Sequence, residues 1–383
     1  MINQRSYSTM NLFTTLVSLC LFSHYVSAQS PIRINNPATV LLTQEVIDIP
    51  WATVLKAYPG IDTTNFQVLL TGSQQPVAYQ LERRGKKDVQ NLLVQVSIGP
   101  RQSISLMLRK GKPAQVAPKT YGRYVPERFD DFAWENDRVA FRMYGAALNG
   151  RSDNAYGTDI WTKRTDQLIL NKWYKQNNYH NDHGEGLDYY HVGLTLGAGD
   201  IAVFLNDSLQ FIHNYRSWEI LDNGPLRTTF RVKFDPYTFN GVTVHETRTV
   251  SLDAGSQLNK VQVHIEQNSG KALPMVVGIS QRKEPSPVVL DEKSGVLGYW
   301  EPKHGNDGTL GIGCVFPVTP VRMLTKYDHL LARLDAPSAD DLIYYTGGVW
   351  DKAGQITSAE AWFAYLRQFT LKQKQPPVIR ILK

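Results

Sequence analysis

The chain has 383 residues, with 41 basic and 35 acidic side chains, a formal charge of +6, a pI near 9.1 and two cysteines. Charge of this size is compatible with nucleic acid, anionic lipid or acidic glycan as a partner. No basic run or recognised nucleic-acid motif accompanies it, so nucleic acid is the weakest of the three.

A polar stretch with Arg5, an apolar segment from Leu12 to Phe22 and the small-residue site Val26-Ser27-Ala28 read as a secretory signal peptide over residues 1–28. Leu19 before Cys20 is too bulky for a lipoprotein box, so the expected product is released into the periplasm or outside the cell. Cleavage leaves 40 basic against 35 acidic residues and Cys314 as the only cysteine, which excludes an internal disulfide, a cysteine zinc site and thiol exchange. No later run approaches the ~20 apolar residues of a membrane-spanning helix, so no membrane insertion is expected.

From residue 29 to about 116, short alternating runs such as Phe66 to Leu70, Val77 to Leu81, Leu92 to Ile98 and Ile104 to Leu108 are divided by glycines. This pattern predicts a small antiparallel β-sandwich. Gly111 to Pro118 has the composition of a linker, and a domain boundary is expected at 116. Residues 117–383 repeat the alternation in longer runs, including Ile201 to Leu205, Thr228 to Phe234, Val242 to Val250 and Asn259 to Ile265. With no blade-length repeat, a large antiparallel sandwich is expected rather than a propeller. The glycines of Gly193 to Gly199 and Gly308 to Gly313 read as turn glycines. Near the end, Thr357 or Ser358 can cap a helix with Ala361, Trp362, Tyr365, Leu366 and Phe369 at helical spacing, and Val378 to Leu382 reads as a closing strand.

No nucleophile elbow, phosphate loop or zinc-protease pair is present. Two segments, Tyr121 to Tyr144 and Asp159 to Tyr190, concentrate ionisable and aromatic side chains beyond what a sandwich surface needs. Aromatics beside charges suit sugar rings. The first segment offers Arg128 and Arg142 as ligand contacts, against the plainer reading of a structural ion-pair network. In the second, Trp161, Lys163 and Arg164 can form a carboxylate clamp or a solvated edge, and Tyr174 a sugar platform or a core residue. The densest run is Tyr179-His180-Asn181-Asp182-His183-Gly184-Glu185-Gly186-Leu187-Asp188-Tyr189. Extended, it puts His183 and Glu185 on one side and His180 on the other; turned, it joins the two histidines. Such a run can serve proton transfer, hold a divalent metal through Asp182 and Glu185, or simply be a polar loop. His304 and the remaining histidines are scattered and read as core or surface groups.

Tyr121 to Arg128, Phe132 to Arg138 and Asp182 to Tyr190 together resemble the bacterial domain-of-unknown-function family 4861 over nearly all of the mature chain. The resemblance implies an all-β, galactose-mutarotase-like supersandwich. It further implies an oligosaccharide dehydratase that acts on a uronic acid at the non-reducing end of ulvan fragments, with an acidic oligosaccharide as substrate. In that chemistry Arg128, Arg164 or a metal would neutralise the carboxylate, His183 would take the C5 proton, and His180 or Tyr189 would protonate the leaving hydroxyl. Asp182 and Glu185 would orient the rings or hold a cation. A uronate-specific polysaccharide lyase, a sugar epimerase and a non-catalytic glycan-binding protein are the competing readings.

Overall fold

The computed structural model of the chain describes residues 30–320, 322–336 and 341–382. The expected signal peptide lies outside them. The architecture is all-β, with sheets that are antiparallel throughout and three α-helices. Among the described residues no helix is long and apolar enough to cross a membrane.

The first sandwich pairs a three-stranded sheet (Leu42–Pro50, Asn91–Ile98 and Tyr79–Glu82) with a four-stranded one containing Ile32–Asn35, Phe66–Leu70 and Ser103–Lys110. Alternation brings Ile47, Ile49, Leu92, Val94, Val68 and Leu106 into one apolar core. Residues 111–119 form no helix or strand, as the linker composition predicts. The division at 116 needs one correction, because the fourth strand of the four-stranded sheet is Val378–Ile381, which pairs with Ile32–Asn35. The end of the chain thus belongs to the first sandwich.

The larger part packs two five-stranded sheets against a nine-stranded sheet. Its core takes one face of each strand: Phe132 and Trp134, Phe141 and Met143, Val250 and Leu252, Val261 and Val263, Ile312 and Cys314. Helix Ala359–Lys374 is capped by Ser358, whose hydroxyl accepts the Ala361 N–H, and it buries Trp362, Leu366 and Phe369 on the outer face of the nine-stranded sheet. Gly311 and Gly313 are strand residues here and not turn glycines. A Cβ on Gly313 would stand 2.5 Å from Leu366, so the bare backbone is what lets the helix lie close.

Gln80 and Arg227 are two of the side chains that join the units. Gln80 is buried and receives the N–H groups of Leu226 and Arg227 while donating to the Arg227 carbonyl. Arg227 donates to Asp48 at 2.9 and 3.0 Å, to Glu82 at 3.1 Å and to Asp253 at 2.9 Å.

Candidate active site

In the sheet built from strands Thr120–Val125, Asp131–Asn136, Val139–Met143, Asp159–Lys163 and Gly186–Leu187, strand alternation divides the side chains. Phe132, Trp134, Phe141 and Ile160 enter the main core, and Asp131, Glu135, Arg142, Asp159, Trp161 and Lys163 project from the other face. That face is covered by helix Leu170–Gln176 and the segment 177–190, through Trp173, Tyr174 and Tyr179.

The cover is held by buried ions. Lys163, with no side-chain exposure, donates to Glu135 at 2.8 Å and to the Asn136 carbonyl at 2.7 Å. The same Glu135 carboxylate accepts the N–H groups of Ile169 and Leu170 at the start of the covering helix. Trp161 is fully buried, stacks on Trp173 and Tyr179, and donates to Asp159. Lys163 and Trp161 were expected to touch substrate; instead both hold the fold, because the helix seals the face they occupy.

Arg142 is also buried, against its reading as a surface contact. Its guanidinium lies 2.6 Å from Asp159, 3.1 Å from Asp188 and 3.8 Å from Asp131. Three carboxyls thus share Arg142, and Asp131 and Asp188 also feel the more distant field of Arg128. Burial outweighs both arginines. It pushes Asp131 up to about 7 and holds Asp159 and Asp188 above the ordinary carboxylate range, with Asp159 adding to the rise at Asp188. Several buried polar atoms find no hydrogen-bond partner among the described residues: both Asp131 oxygens, Arg128 Nη1, Arg142 Nε and Nη1, and the hydroxyls of Tyr174, Tyr189 and Tyr190. Such a concentration is costly unless a ligand or solvent completes it.

His180 sits at the edge of this cluster with its side chain 68% exposed. Its Nδ1 lies 2.8 Å from the Asp188 carbonyl and 3.6 Å from the Asp188 carboxylate, and its ring packs against Tyr179 at a tilt of 50°. A carbonyl can only accept, so Nδ1 carries the proton and Nε2 presents a lone pair. Next in the chain, Tyr189 stacks on His304 at 5.0 Å between ring centres, and His304 Nδ1 is 3.0 Å from Asp307. Burial, with Glu301 next, drives the Tyr189 hydroxyl far above its ordinary value, so it keeps its proton. Beyond it, Arg282 pairs with Glu301 at 2.7 Å, donates to the His191 carbonyl and lies over the Tyr190 ring. Arg164 pairs with Asp182 at 2.6 Å and packs over Trp350, whose indole donates to the Asp307 carbonyl. Contacts therefore join His180 to Asp188 and, from the adjacent Tyr189, run through His304, Asp307 and Trp350 to Arg164.

The other histidine of the run lies elsewhere. His183 and Glu185 line a separate hollow of about 320 Å³ with Lys172, Trp173 and Tyr179, and His180 is not part of its wall. The two histidines are apart, as in the extended alternative, but the backbone over 179–185 is mostly turns and bends, and Gly186 passes so close to Thr162 that a Cβ would stand 2.0 Å from its carbonyl oxygen. Asn178 donates to His183 Nε2, which occupies that lone pair. Lys172 meets both Glu185 oxygens at 2.8 Å and, by that bond first, lowers the Glu185 pKa. Asp182 accepts the N–H groups of Gly184 and Gly186 and pairs with Arg164. Both proposed metal donors are thus already neutralised by cations, and among the described residues no group of three His, Cys, Asp or Glu side chains is arranged to hold a metal ion.

Arg282, Glu301, His304 and Trp350 are site residues that local reading passes over, since they arrive from strand ends more than 90 residues downstream of His180.

The chain is 29% identical over 322 residues to an uncharacterized protein of Formosa agariphila, a match spanning 78% of this chain and 80% of that one. Among solved structures it is similar to an α-mannosidase from Enterococcus faecalis V583, at 10% identity and a TM-score of 0.52, over 92% of this chain and 46% of that one. A glycosyl hydrolase family 38 protein from Enterococcus faecalis gives 11% identity and a TM-score of 0.53, over 94% and 48%. The chain spans about half the length of these two structures, and the likeness is one of fold. The model of the family described as a domain of unknown function, DUF4861, matches residues 34–379, and the chain belongs to that family.

Proposed function

We propose that the protein is an exported, carbohydrate-active lyase: a dehydratase that removes water across C4 and C5 of a uronic acid at the non-reducing end of an ulvan-type acidic oligosaccharide. The observation that carries the reading is His180, a largely exposed imidazole held through Nδ1 by the Asp188 carbonyl at the edge of a cluster that contains unpartnered cationic and phenolic groups. The sugar class follows from the family resemblance, and it agrees with the mannosidase-like fold.

In this reaction the C5–H bond breaks toward His180 Nε2, its electrons form the C4–C5 double bond, and the C4–O bond breaks. The leaving oxygen takes the proton that His180 has accepted and departs as water, which returns His180 to its neutral form. Arg128, which has a buried and unpartnered Nη1, and Arg164 at the rim are the groups suited to the substrate carboxylate, where charge develops as C5 loses its proton. Tyr189 stays protonated and has an unpartnered hydroxyl, which suits it to hydrogen-bond the departing oxygen. The base is therefore His180 in place of His183, whose Nε2 is taken by Asn178.

The test is incubation of the purified protein with uronate-capped ulvan oligosaccharides, following mass and ultraviolet absorbance together. Loss of one water from an unbroken chain, with rising absorbance, is the expected result. Shortened chains bearing a new double bond would make the protein a polysaccharide lyase, and no change over several acidic glycans would remove the catalytic reading.

A further inference from the structure

A second cavity lies away from His180. It has a volume of about 840 Å³ and sits between the first sandwich, the outer face of the nine-stranded sheet and helix Ala359–Lys374. Its lining holds seven basic side chains against three acidic ones. Part of that charge is structural: Arg227 is locked to Asp48, Glu82 and Asp253, and Lys372 donates to Glu45.

Lys260 is different. It rises from strand Leu258–Gln267 into the cavity and makes no hydrogen bond or ion pair among the described residues. Strand register places it in a polar row across the sheet, with Thr229 opposite Ser251, Ser251 opposite Lys260, and Lys260 opposite Tyr345. A second row sets Arg231 opposite Thr249 and Thr249 opposite Gln262. Four strands at ~4.8 Å spacing make the first row about 14 Å wide and three make the second about 10 Å, the scale of a short oligosaccharide and too long for a single small ion. Burial, then the neighbouring Arg227 and Arg84, lower the Lys260 pKa, so an anion arriving there would relieve a strained ammonium. Tyr345 ends the row and Tyr365 stands in the helix wall, which gives aromatic surface beside the cation.

We infer that this crevice is a second, non-catalytic binding site for an anionic oligosaccharide, which lies along the Thr229–Ser251–Lys260–Tyr345 row with a carboxylate or sulfate on Lys260. The first sandwich, by roofing the cavity with residues 41–48, becomes part of a glycan-holding groove. The ligand class rests on the acidic-glycan reading above; the site itself rests on the register and the unpaired lysine.

The probe is a sulfated, uronate-containing ulvan oligosaccharide titrated calorimetrically into the full chain carrying His180→Ala, so that nothing is consumed. Two binding events are expected. Lys260→Gln should weaken one of them by about tenfold to a hundredfold, the range for losing one charged hydrogen bond. Arg231→Gln, in the adjacent row, should weaken the same event, and neither substitution should alter turnover of a short substrate when His180 is intact. Unchanged stoichiometry and affinity in both variants, with wild-type melting, would overturn the inference. Lys260-dependent binding without elimination by the wild-type chain would keep the crevice and remove the dehydratase. Elimination with a single Lys260-independent event would do the reverse.

Discussion

Asp131→Asn isolates the electrostatic stress under the proposed site. Asp131 is fully buried, its oxygens accept no hydrogen bond among the described residues, and its closest cation is Arg142 at 3.8 Å. Burial holds the carboxyl at about 7 against an ordinary 3.8. In the unfolded chain the proton leaves near the ordinary value, whereas the folded protein keeps it until near neutrality. Between those limits the native state binds more protons, so this group's contribution to stability is full at acid pH and is lost as pH rises toward 7. A separation of about three units corresponds to about 4 kcal/mol. Asparagine has nearly the same shape and does not titrate. Its own cost, an unpartnered buried amide worth ~1–3 kcal/mol, does not change with pH. The stability of Asp131→Asn relative to wild type should therefore improve by about 4 kcal/mol from acid to mildly alkaline conditions, read from urea unfolding at a series of pH values. A difference between the two proteins that stays flat with pH would refute the reasoning, whatever its sign.

His180→Ala should reduce elimination at least ~100-fold with unchanged unfolding, while His183→Ala should keep most activity, since its ring nitrogen is already bonded to Asn178; single-substrate kinetics on both variants checks this. Lys163→Met should cost about 3–5 kcal/mol in chemical denaturation, because Glu135 would remain buried without its cation. Arg227→Met should cost a similar ~3–5 kcal/mol, because Glu82 is 1% exposed and would lose its buried partner. Limited proteolysis of that variant should cut first in the segment 111–119, and wild-type resistance would count against Arg227 as the joint between the units.

Strands were readable in the sequence because one-sided burial leaves a period of two, as in Val242–Asp253 and Leu258–Gln267. The C-terminal helix was readable because its cap and its apolar face are both local. What escaped reading was set by distant partners. Helix Leu170–Gln176 has no side-chain cap of its own; its first N–H groups are met by Glu135, 34 and 35 residues away. Asp131–Asn136 is buried on both faces, so its charged residues look like surface until the covering helix is in place. Gly311 and Gly313 looked like turn residues because nothing nearby in the sequence announces Leu366 above them. At the site, the His180 to Tyr189 run was visible as a cluster, but which histidine keeps a free nitrogen depends on Asn178 and the Asp188 carbonyl. Arg282, Glu301 and His304 join only through tertiary pairing.

The pairing of Val378–Ile381 with Ile32–Asn35 sets an order of assembly. An edge of the first sandwich is supplied by a strand separated from its other strands by the whole of the larger part, so that sandwich cannot close until the larger part has been made. Its remaining strands must wait with Ile32–Asn35 unpaired on one side, exposed to annealing with other chains. Contacts separated by nearly the whole chain length also make this closure slow. Deletion of Val378–Ile381 should leave a larger sandwich that folds beside an aggregation-prone smaller one.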